Sequence, residues 1–447
     1  MTNYSIRLFA LAACAMGAGA SQAASGATFK VISYLPQYSQ PGQLAEGSPG
    51  VLYTTAVSSA GPPSVMLSVT VQGTATTLAG FPTPPYNLES PPVTAANGLV
   101  YSSVSQTIAG GSGNLFSVGS TPSSEHTYPT AALALVPLTG NLPDGKLFGI
   151  SYAFSDASNS LATVDLTGNV TPFYRFPAID SPGLPVYHGD GNYYGTALPV
   201  VSGATTYFYR VTPSGSFTKI ANLPYVGGTF IGTNPGGGFL LQATDGNFYG
   251  IQPQSPGCNP SNQPGAVFKL TPGGQFTILH KFQPCENVNS LIQGSDGKLY
   301  GTTQSNSVLF SLTTAGAYTA EVQMNGANGL CPCTLLQGSD GVIYGSASGG
   351  GTTGGGVIFA FNAGLPVPKP QAGAFAPGSG AVGTRVRIWG YNLFGASVQF
   401  NGVPAPGAVS GGPNYVLVNV PEGATTGPIT VTTAGGAVTT RESFTVN

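Results

Sequence analysis

Short stretches of alternating apolar and polar residues recur along the whole chain, and glycine, proline, asparagine or aspartate separates them. In one example, the stretch Ala266–Leu270 is followed by a Pro-Gly-Gly turn at Pro272–Gly274 and then by the stretch Phe276–Phe282. Period-two alternation with β-branched and aromatic residues predicts strands, and turns that contain glycine predict hairpins. No stretch after the first 20 residues sustains the 3.6-residue period of a helix. The pattern therefore predicts an all-β protein.

One phrase of this pattern is repeated seven times. It is Gly-Ser-Asp-Gly-Lys-Leu-Tyr-Gly-Thr-Thr at Gly294–Thr303, with variants at Gly338–Ser346, Thr244–Gly250, Gly189–Gly195 and Pro143–Gly149 and weaker copies at Asn97–Tyr101 and Pro49–Tyr53. The aromatic anchors of the copies are Tyr53, Tyr101, Phe148, Tyr194, Tyr249, Tyr300 and Tyr344. Successive anchors are 48, 47, 46, 55, 51 and 44 residues apart. This period predicts one four-stranded propeller blade per copy.

The two ends of the repeat array complement each other. The last copy stops after its third strand, Val357–Asn362, and a Pro-rich segment follows. The segment Phe29–Leu35 aligns position by position with the fourth strand Phe276–Phe282, although no blade precedes it. We therefore predict a seven-bladed β-propeller closed by strand exchange between the termini, which removes exposed sheet edges. An open solenoid is the alternative, but it does not explain this offset.

Composition narrows the functions that such a protein can have. The chain has 447 residues with 66 glycines and 38 prolines, but only 6% are charged and the net charge is −2. Thirteen lysines and arginines in total cannot form the basic surface that nucleic acid requires. No apolar run approaches the ~20 residues of a transmembrane helix. We expect no nucleic-acid partner and no transmembrane segment.

The N-terminus has the pattern of an export signal. Arg7 is followed by the apolar segment Leu8–Ala20 and by the small-x-small sequence Ser21-Gln22-Ala23. We predict that residues 1–23 are a signal peptide and that the protein is secreted, to the periplasm, cell surface or medium. Leu11–Cys14 also matches a lipobox, so a lipid anchor at Cys14 is the alternative.

The repeats resemble the GloVer-type extracellular tandem repeat of bacterial exported proteins. That family has a Gly-Ser-Asp-Gly-Asn-Leu-Tyr-Gly-Thr-Thr phrase, then Gly-Val-Phe-Lys-Leu-Thr and a Phe-x-x-Leu-x-x-Phe segment. The resemblance is good over Pro143–Asn362 and weak over Phe29–Ser120. It implies export and a β-propeller, but no defined activity.

The segment Gln371–Asn447 resembles the IPT/TIG immunoglobulin-like domain. The matching residues include Pro377–Gly380, Gly383–Gly390, Val398–Gly402, Val420–Gly423 and Gly427–Val431. Strand alternation also places Val386, Ile388, Val398, Phe400, Val416, Val418 and Val420 on one face of a β-sandwich. The predicted domains are a propeller at 24–364, a Pro-rich linker at 365–371 and an IPT/TIG domain at 372–447.

The aspartate of the repeated turn is the most frequent candidate for chemistry, and it occurs as Asp144, Asp190, Asp245, Asp296 and Asp340. Calcium ligation and paired-carboxylate catalysis are the functional interpretations. Copies on separate blades are too far apart for the ~5–10 Å that carboxylate catalysis needs. We therefore expect turn stabilisation by the aspartates and inter-blade packing by the aromatic anchors.

No other pattern indicates a catalytic, cofactor or metal site. The three histidines, His126, His188 and His280, lack metal-ligand spacing. Gly349–Gly356 lacks the lysine and the following helix of a phosphate-binding loop. A Ser-His-Asp arrangement remains open because such triads are defined by geometry.

Four cysteines follow the export signal: Cys258, Cys285, Cys331 and Cys333. An even number in an oxidising compartment predicts disulfides. In an up-and-down blade all four fall on one face of blades five to seven. We favour a Cys258–Cys285 pair, with Cys331 and Cys333 joined in a local bridge or left reduced.

These features predict an exported, non-catalytic binding or cell-surface structural and adhesion protein with a glycan or protein as its ligand. The long loops Pro253–Gly265 and Ser346–Gly356 lie on the predicted cysteine face. The alternative is a propeller enzyme of lyase or hydrolase type. Asp-Gly-Asn-Phe-Tyr-Gly distantly resembles the Asp-Gly-Asn-Leu-Trp-Phe-Thr-Glu repeat of streptogramin lyases, but the trailing glutamate is absent from every copy here.

Overall fold

A computed structural model of the chain describes residues 26–35, 38–39, 41–58, 64–80, 86–88, 92–95, 99–106, 113–118, 126–130, 133–142, 145–153, 158–177, 180–199, 201, 204–224, 240–252, 264–352, 354–410 and 414–447. Every regular element within these ranges is a strand, and none is a helix. The prediction of an all-β protein is confirmed.

In this part of the chain, residues 28–362 form seven antiparallel sheets, which we number in chain order. The first strand, β1 (Thr28–Tyr34), belongs to the last sheet. Sheet 1 has β2 (Tyr38–Ser39), β3 (Leu44–Ser48), β4 (Val51–Ser58), β5 (Ser64–Thr70) and β6 (Ala75–Gly80). Sheet 2 has β7 (Tyr86–Leu88), β8 (Val93–Thr94), β9 (Val100–Gln106), β10 (Gly113–Val118) and β11 (His126–Thr130). Sheet 3 has β12 (Leu133–Asn141), β13 (Leu147–Ala153), β14 (Ser158–Val164) and β15 (Val170–Arg175).

The later sheets contain the clearest repeats. Sheet 4 has β16 (Asp180–Pro182), β17 (Val186–Tyr187), β18 (Tyr193–Pro199), β19 (Tyr207–Val211) and β20 (Phe217–Asn222). Sheet 5 has β21 (Leu241–Gln242), β22 (Phe248–Gln252), β23 (Ala266–Leu270) and β24 (Phe276–Lys281). Sheet 6 has β25 (Val288–Gln293), β26 (Leu299–Thr303), β27 (Val308–Leu312) and β28 (Tyr318–Gln323). Sheet 7 has β29 (Leu330–Gln337), β30 (Ile343–Gly349) and β31 (Val357–Asn362), and β1 completes it.

In sheets 1, 2 and 4 the first strand is split in two, and a proline lies in each gap. Pro41 lies between β2 and β3, Pro92 between β7 and β8, and Pro185 between β16 and β17. Proline has no N–H to donate to the neighbouring strand, so the ladder breaks there. The sequence pattern predicts one inner strand per unit and does not resolve these breaks.

The predicted pairing between the two ends of the array is present. β1 runs antiparallel to β31, with Phe29 opposite Phe361 and Tyr34 opposite Val357. A register shift between Val31 and Ser33 leaves Ile32 as an extra residue. The same shift occurs in β24 between Ile278 and His280, at the aligned position. β1 therefore reproduces even the bulge of an ordinary fourth strand.

Each sheet packs against its neighbours in chain order. One core joins Tyr194 and Phe208 of sheet 4 to Phe248 and Phe268 of sheet 5. Another joins sheet 7, through Tyr344 and Ile358, to sheet 1, through Leu52 and Leu67. Because the last sheet packs on the first, the arrangement is that of a β-propeller.

A polar contact crosses several of the same boundaries. Gln293 of sheet 6 accepts a hydrogen bond from the Thr244 N–H in the turn of sheet 5 (2.8 Å), and Gln337 of sheet 7 accepts one from the Ser295 N–H of sheet 6 (2.9 Å). At the ring closure the corresponding residue is Glu46 of sheet 1, which accepts from both N–H and Oγ of Ser339 at 2.8 and 2.9 Å. The closing boundary thus repeats the internal ones, with a carboxylate in place of a carboxamide.

The C-terminal residues form a sandwich of two sheets. The four-stranded sheet has β32 (Gln371–Ala376), β34 (Arg385–Tyr391), β37 (Val409–Ser410) and β38 (Tyr415–Asn419). The five-stranded sheet has β33 (Ser379–Gly380), β35 (Ser397–Phe400), β36 (Val403–Ala405), β39 (Gly427–Thr433) and β40 (Gly436–Val446). The predicted inward face is confirmed, because Val386, Ile388, Val398, Phe400, Val416, Val418 and Val420 all lie in one buried core.

Candidate functional site

The repeated Asp-Gly turn brings polar side chains together at one end of sheets 4 to 7. Oδ1 of Asp190, Asp245, Asp296 and Asp340 accepts the backbone N–H two residues later, at 3.0, 3.0, 3.1 and 3.0 Å. Oδ2 accepts the hydroxyl of the tyrosine four residues later, at 2.8, 2.7, 3.0 and 2.7 Å. The glycine after each aspartate has φ between 78° and 86°, which permits the turn. Asp144 lies outside the described residues.

These contacts favour the ionised form of two of the turn carboxylates, Asp190 and Asp245. Burial opposes ionisation of Asp190, but hydrogen bonds from Asn192, Tyr194 and His188 outweigh it and lower its pKa to about 2. The pKa of Asp245 is also lowered, because bonds from Asn247 and Tyr249 outweigh burial. An anion already bound by local donors is a poor general base at neutral pH.

The seven aromatic anchors are all buried, with at most 4% of each side chain exposed. They face the sheet interfaces rather than a ligand surface. Tyr300, for example, lies in the core shared by sheets 6 and 7.

The histidines are not brought together. Nδ1 of His188 lies 3.0 Å from Oδ1 of Asp190, and its ring packs against Tyr194 and Phe248 with centroid distances of 5.3 and 5.4 Å. His280 stacks on Tyr318 at 4.5 Å, and burial lowers its pKa. The side chain of His126 is outside the described set. Among the described residues, no three His, Cys, Asp or Glu side chains are placed to hold a metal ion.

The cysteine prediction needs correction. Cys285 and Cys333 are half-buried thiols, so the favoured Cys258–Cys285 pair is not formed. Of the two alternatives for Cys331 and Cys333, the local bridge is not formed and Cys333 is reduced. The thiol of Cys333 instead donates to the carbonyl oxygen of Cys331 (3.1 Å), and burial raises its pKa. Both residues lie in β29, but the strand is irregular there, because Cys331 has a φ of 52° and the register shifts between Pro332 and Thr334. Cys258 lies outside the described residues.

A buried acid–phenol pair is the clearest feature that sequence reasoning missed. The hydroxyl of Tyr207 donates to Oδ2 of Asp180 at 2.5 Å, and both residues are nearly buried. Burial and the neighbouring Asp180 raise the pKa of Tyr207, so the phenol stays protonated. Nζ of Lys219 lies 5.0 Å from the centre of the Tyr207 ring. The pair joins residues 27 positions apart, and no local motif identifies it.

A cavity of about 420 Å³ opens where sheet 7 meets sheet 1. Its polar lining combines one cation, Lys30, and one carboxylate, Asp340, with the carboxamides of Gln72 and Asn362. Apolar walls come from Val71, Val342, Tyr344 and Ala360. Such a lining suits hydrogen bonding to a small polar molecule.

The predicted loop sites are only partly described. Residues 253–263 and 353 lie outside the described residues. In the remainder of Ser346–Gly356, the Gly351 N–H donates to the Gly326 carbonyl at 2.9 Å, which ties this loop to the connection before sheet 7.

The order of sheets and the hydrogen-bonded turns define an all-β, propeller-like protein. Residues 181–369 match the Gloeobacter/Verrucomicrobia repeat family. This range contains the four strongest repeat phrases, so the repeat prediction is confirmed there.

Solved propeller structures show the same fold. A streptogramin B lyase is similar with a TM-score of 0.53 and 13% identity, covering 76% of this chain and 98% of that chain. A catalytically inactive virginiamycin B lyase from Staphylococcus aureus, crystallised with quinupristin, has a TM-score of 0.51 and 13% identity, covering 75% and 99%. At this identity the likeness concerns the fold alone. A comparison with curated proteins gives no match.

None of the described residues forms a helix long and apolar enough to cross a membrane.

Proposed function

We propose that the chain is an exported, non-catalytic binding or cell-surface structural and adhesion protein, with a glycan or a protein as its ligand. One observation carries this proposal. The aspartate carboxylate, the chemical group that recurs in the repeat, is occupied by a backbone N–H and a tyrosine hydroxyl in each of the four described copies. The repeat therefore serves as a scaffold, and function falls to the loops that connect its strands.

The architecture proposed with this function is a closed seven-bladed propeller at 24–364, a linker at 365–371 and an IPT/TIG immunoglobulin-like domain at 372–447. Support for seven blades comes from the seven sheets and from the β1–β31 pair. Support for the C-terminal domain comes from its two sheets and its separate core.

Export is proposed from the N-terminal sequence, with residues 1–23 as the signal peptide and a lipid anchor at Cys14 as the less favoured alternative. These residues lie outside the described part of the chain. The low charge and the polar, uncharged surface composition agree with an extracytoplasmic location.

The alternative function is an extracytoplasmic lyase or hydrolase. The fold of the streptogramin and virginiamycin lyases shows that a propeller of this kind can carry such chemistry. However, the ring of His188 packs against Tyr194 and Phe248 beside the Asp-Gly turn of its own sheet, and not in the loops between second and third strands. Binding without turnover therefore has the better support.

The disulfide proposal is revised to a single bridge. Cys331 is disulfide-bonded, and we propose Cys258 as its partner, because Cys285 and Cys333 are thiols and the sequence predicts Cys258 on the same face. Peptide mapping without reduction is expected to find a Cys258–Cys331 cross-linked peptide and to find Cys333 alkylated. A Cys331 peptide that is alkylated without reduction would contradict this pairing.

A binding assay with product analysis tests the functional proposal. Purified residues 24–447 are applied to glycan arrays and to cell-envelope protein fractions, and each bound ligand is then incubated with the protein and examined by mass spectrometry. We expect a ligand that is retained and recovered chemically intact. Cleavage or elimination products that accumulate with time would instead establish the enzyme alternative.

A further inference from the structure

The C-terminal domain rests on the end of the propeller that carries the Asp-Gly turns, which we call the turn face. Nε1 of Trp389 lies so close to Gly145 that a Cβ there would come within 2.7 Å of it. The Asn414 side-chain amide donates to the Thr94 carbonyl, and Nη1 of Arg441 donates to the Gly189 carbonyl at 3.2 Å. These contacts reach the turns of sheets 3, 2 and 4.

The linker to this domain crosses the turns of two other sheets. Oγ of Ser295, in sheet 6, donates to the Pro366 carbonyl at 2.5 Å, and the amide of Gln337 also points to that carbonyl (3.4 Å). The carbonyl of Leu365 lies over Gly341 of sheet 7, where a Cβ would come within 2.6 Å. In a ring of seven, sheets 2–4 lie across the axis from sheets 6 and 7. Linker and domain together therefore span the axial end of the turn face.

The opposite end of the propeller, the loop face, carries the connections between second and third strands and between successive sheets. Its described part in sheets 5 to 7 is residues 283–289, 304–307, 324–329, 348–352 and 354–356. The surface is continuous, because Asn289 donates to the Pro332 carbonyl at 3.1 Å and the Gly351 N–H donates to the Gly326 carbonyl. It is free of the linker and C-terminal contacts given above.

Almost all side chains in these loop-face ranges are uncharged. Glu286 is the one charged side chain in the ranges given. The same ranges contain seven carboxamides, which are Gln283, Asn287, Asn289, Gln304, Asn306, Asn325 and Asn328. Three of them, Asn289, Asn325 and Asn328, also make hydrogen bonds to backbone groups of the propeller. Tyr34 lies at this end of β1, 43% exposed, with its ring beside Gly351. Carboxamides donate to and accept from hydroxyl groups, and an exposed aromatic face packs on the C–H surface of a sugar ring.

We propose that the C-terminal domain is a fixed cap on the turn face, and that the loop face is the ligand surface and takes an uncharged glycan. The inference rests on the proposed binding function and adds to it the face and the ligand class. A charged ligand would find one carboxylate and no cation within these ranges, whereas a neutral polyol matches the amide-rich surface.

Two alanines of sheet 6 and its flanking connection give a matched test of the face. Ala327 is exposed on the loop face, and Ala315 is exposed in a turn at the other end. With arrays of neutral glucan, mannan and chitin oligosaccharides, we expect A327R to weaken binding about tenfold or more, because a bulky cation would displace a neutral ligand. A315R should bind like the unmodified protein. Weakening by A315R alone, by both variants or by neither overturns the assignment of the face.

Different results would contradict the proposed glycan class and the proposed binding function. Absence of binding to every neutral oligosaccharide overturns the glycan class. The proposed binding function itself fails only if the envelope-protein arm also yields no ligand, so the two failures are distinguishable. Selective binding of acidic glycans also overturns the neutral class.

The cap is tested separately, because Trp389 is the single tryptophan of the chain. We expect acrylamide to quench its fluorescence weakly in the full chain and more strongly in the N414A/R441A variant, which loses two docking contacts. R385A removes an exposed arginine of the same domain and should leave the quenching unchanged. Equal quenching in the full chain and in N414A/R441A overturns the fixed cap.

Discussion

At the residue scale, the glycine that follows the aromatic anchor in sheets 4 to 7 is required because an aromatic ring packs over it. A Cβ at Gly250, Gly301 or Gly345 would overlap the ring of Phe268, Phe310 or Phe359 in the next strand, and at Gly195 it would overlap Tyr209. The sequence shows the aromatic-Gly and Val-Phe-Lys elements of the repeat as separate motifs. In the structure they form one packing unit, because the ring of the second element lies over the glycine of the first. The glycine provides space for the ring, not a special backbone angle.

This packing predicts a large effect of a single methyl group. Gly301→Ala is expected to lower the free energy of unfolding by about 1–3 kcal/mol, since the Cβ would meet Phe310 and the Ser290 carbonyl. Thermal and denaturant unfolding would measure it. Gly326→Ala is the control, because a Cβ there meets nothing within 4 Å. An equal effect of the two substitutions would show that backbone freedom, and not the ring, requires Gly301.

Gln293, Gln337 and Glu46 make equivalent hydrogen bonds to the turn of a neighbouring sheet, and Glu46 is the one charged residue of the three. Its carboxylate accepts bonds from Gly50 and Ser339, but burial outweighs them and raises its pKa above the usual 4.5, with Asp340 adding repulsion. A carboxyl group with a raised pKa in the folded state binds protons more tightly there than in the unfolded chain. Its contribution therefore favours the fold at pH below 4.5 and declines as the pH rises through the raised pKa.

Glu46→Gln is expected to raise the midpoint of thermal unfolding at pH 7 and to have little effect near pH 4, where the glutamate is protonated. The new carboxamide would match Gln293 and Gln337, which make the equivalent contact. The reciprocal variant, Gln337→Glu, should lower the midpoint at pH 7. A lower midpoint for Glu46→Gln at pH 7 would mean that the charged form stabilises the closure.

At the element scale, a bulge in the fourth strand of three sheets contacts the next sheet. The bulge residue of β15 (Phe173), β24 (Leu279) and β1 (Ile32) presents its carbonyl to a turn glycine of the following sheet, which is Gly215, Gly316 and Gly73, respectively. A Cβ on any of these glycines would collide with that carbonyl. The bulge therefore fixes how sheets stack, and β1 performs this role for sheet 1.

A matched pair of phenylalanines tests the closing strand. Phe29 packs on Phe359 with a centroid distance of 5.2 Å, and Phe276 packs on Phe268 at 5.0 Å. β24 is joined to its partner by a short hairpin, whereas β1 and β31 are more than 300 positions apart, so only tertiary contacts keep β1 in place. We expect Phe29→Ala to accelerate amide hydrogen exchange in Val357–Asn362 far more than Phe276→Ala accelerates it in Ala266–Leu270. Equal acceleration would mean that the closing pair is no weaker than a hairpin.

The strands and the closing pair were predictable because they leave local marks in the sequence. Glycine and proline bound each strand, and the match between Phe29–Leu35 and Phe276–Phe282 identifies a displaced fourth strand. The bulges left no such mark, since the bulged position holds Ile32, Phe173 or Leu279, and the same residue types occupy regular positions elsewhere. The Asp180–Tyr207 bond and the cysteine pairing depend on distances across the tertiary fold, which a shared face does not determine.

At the scale of the whole molecule, two bodies meet through few contacts. The core of the C-terminal domain consists only of its own residues, from Val386 to Phe444. The propeller cores between neighbouring sheets contain none of them. Docking on the turn face relies instead on Trp389, Asn414 and Arg441. These residues belong to no repeat, so the sequence pattern does not predict the docking.

Separate cores predict that the C-terminal domain folds alone. Residues 366–447 expressed by themselves should unfold cooperatively on heating, because burial of their own apolar residues supplies the stabilisation. Trp389 should emit at longer wavelength than in the full chain, since it loses its contact with Gly145 and becomes more hydrated. Circular dichroism follows the first outcome and fluorescence the second. A fragment without a cooperative transition would show that the propeller surface completes the fold, and the cap would then be part of one structural unit.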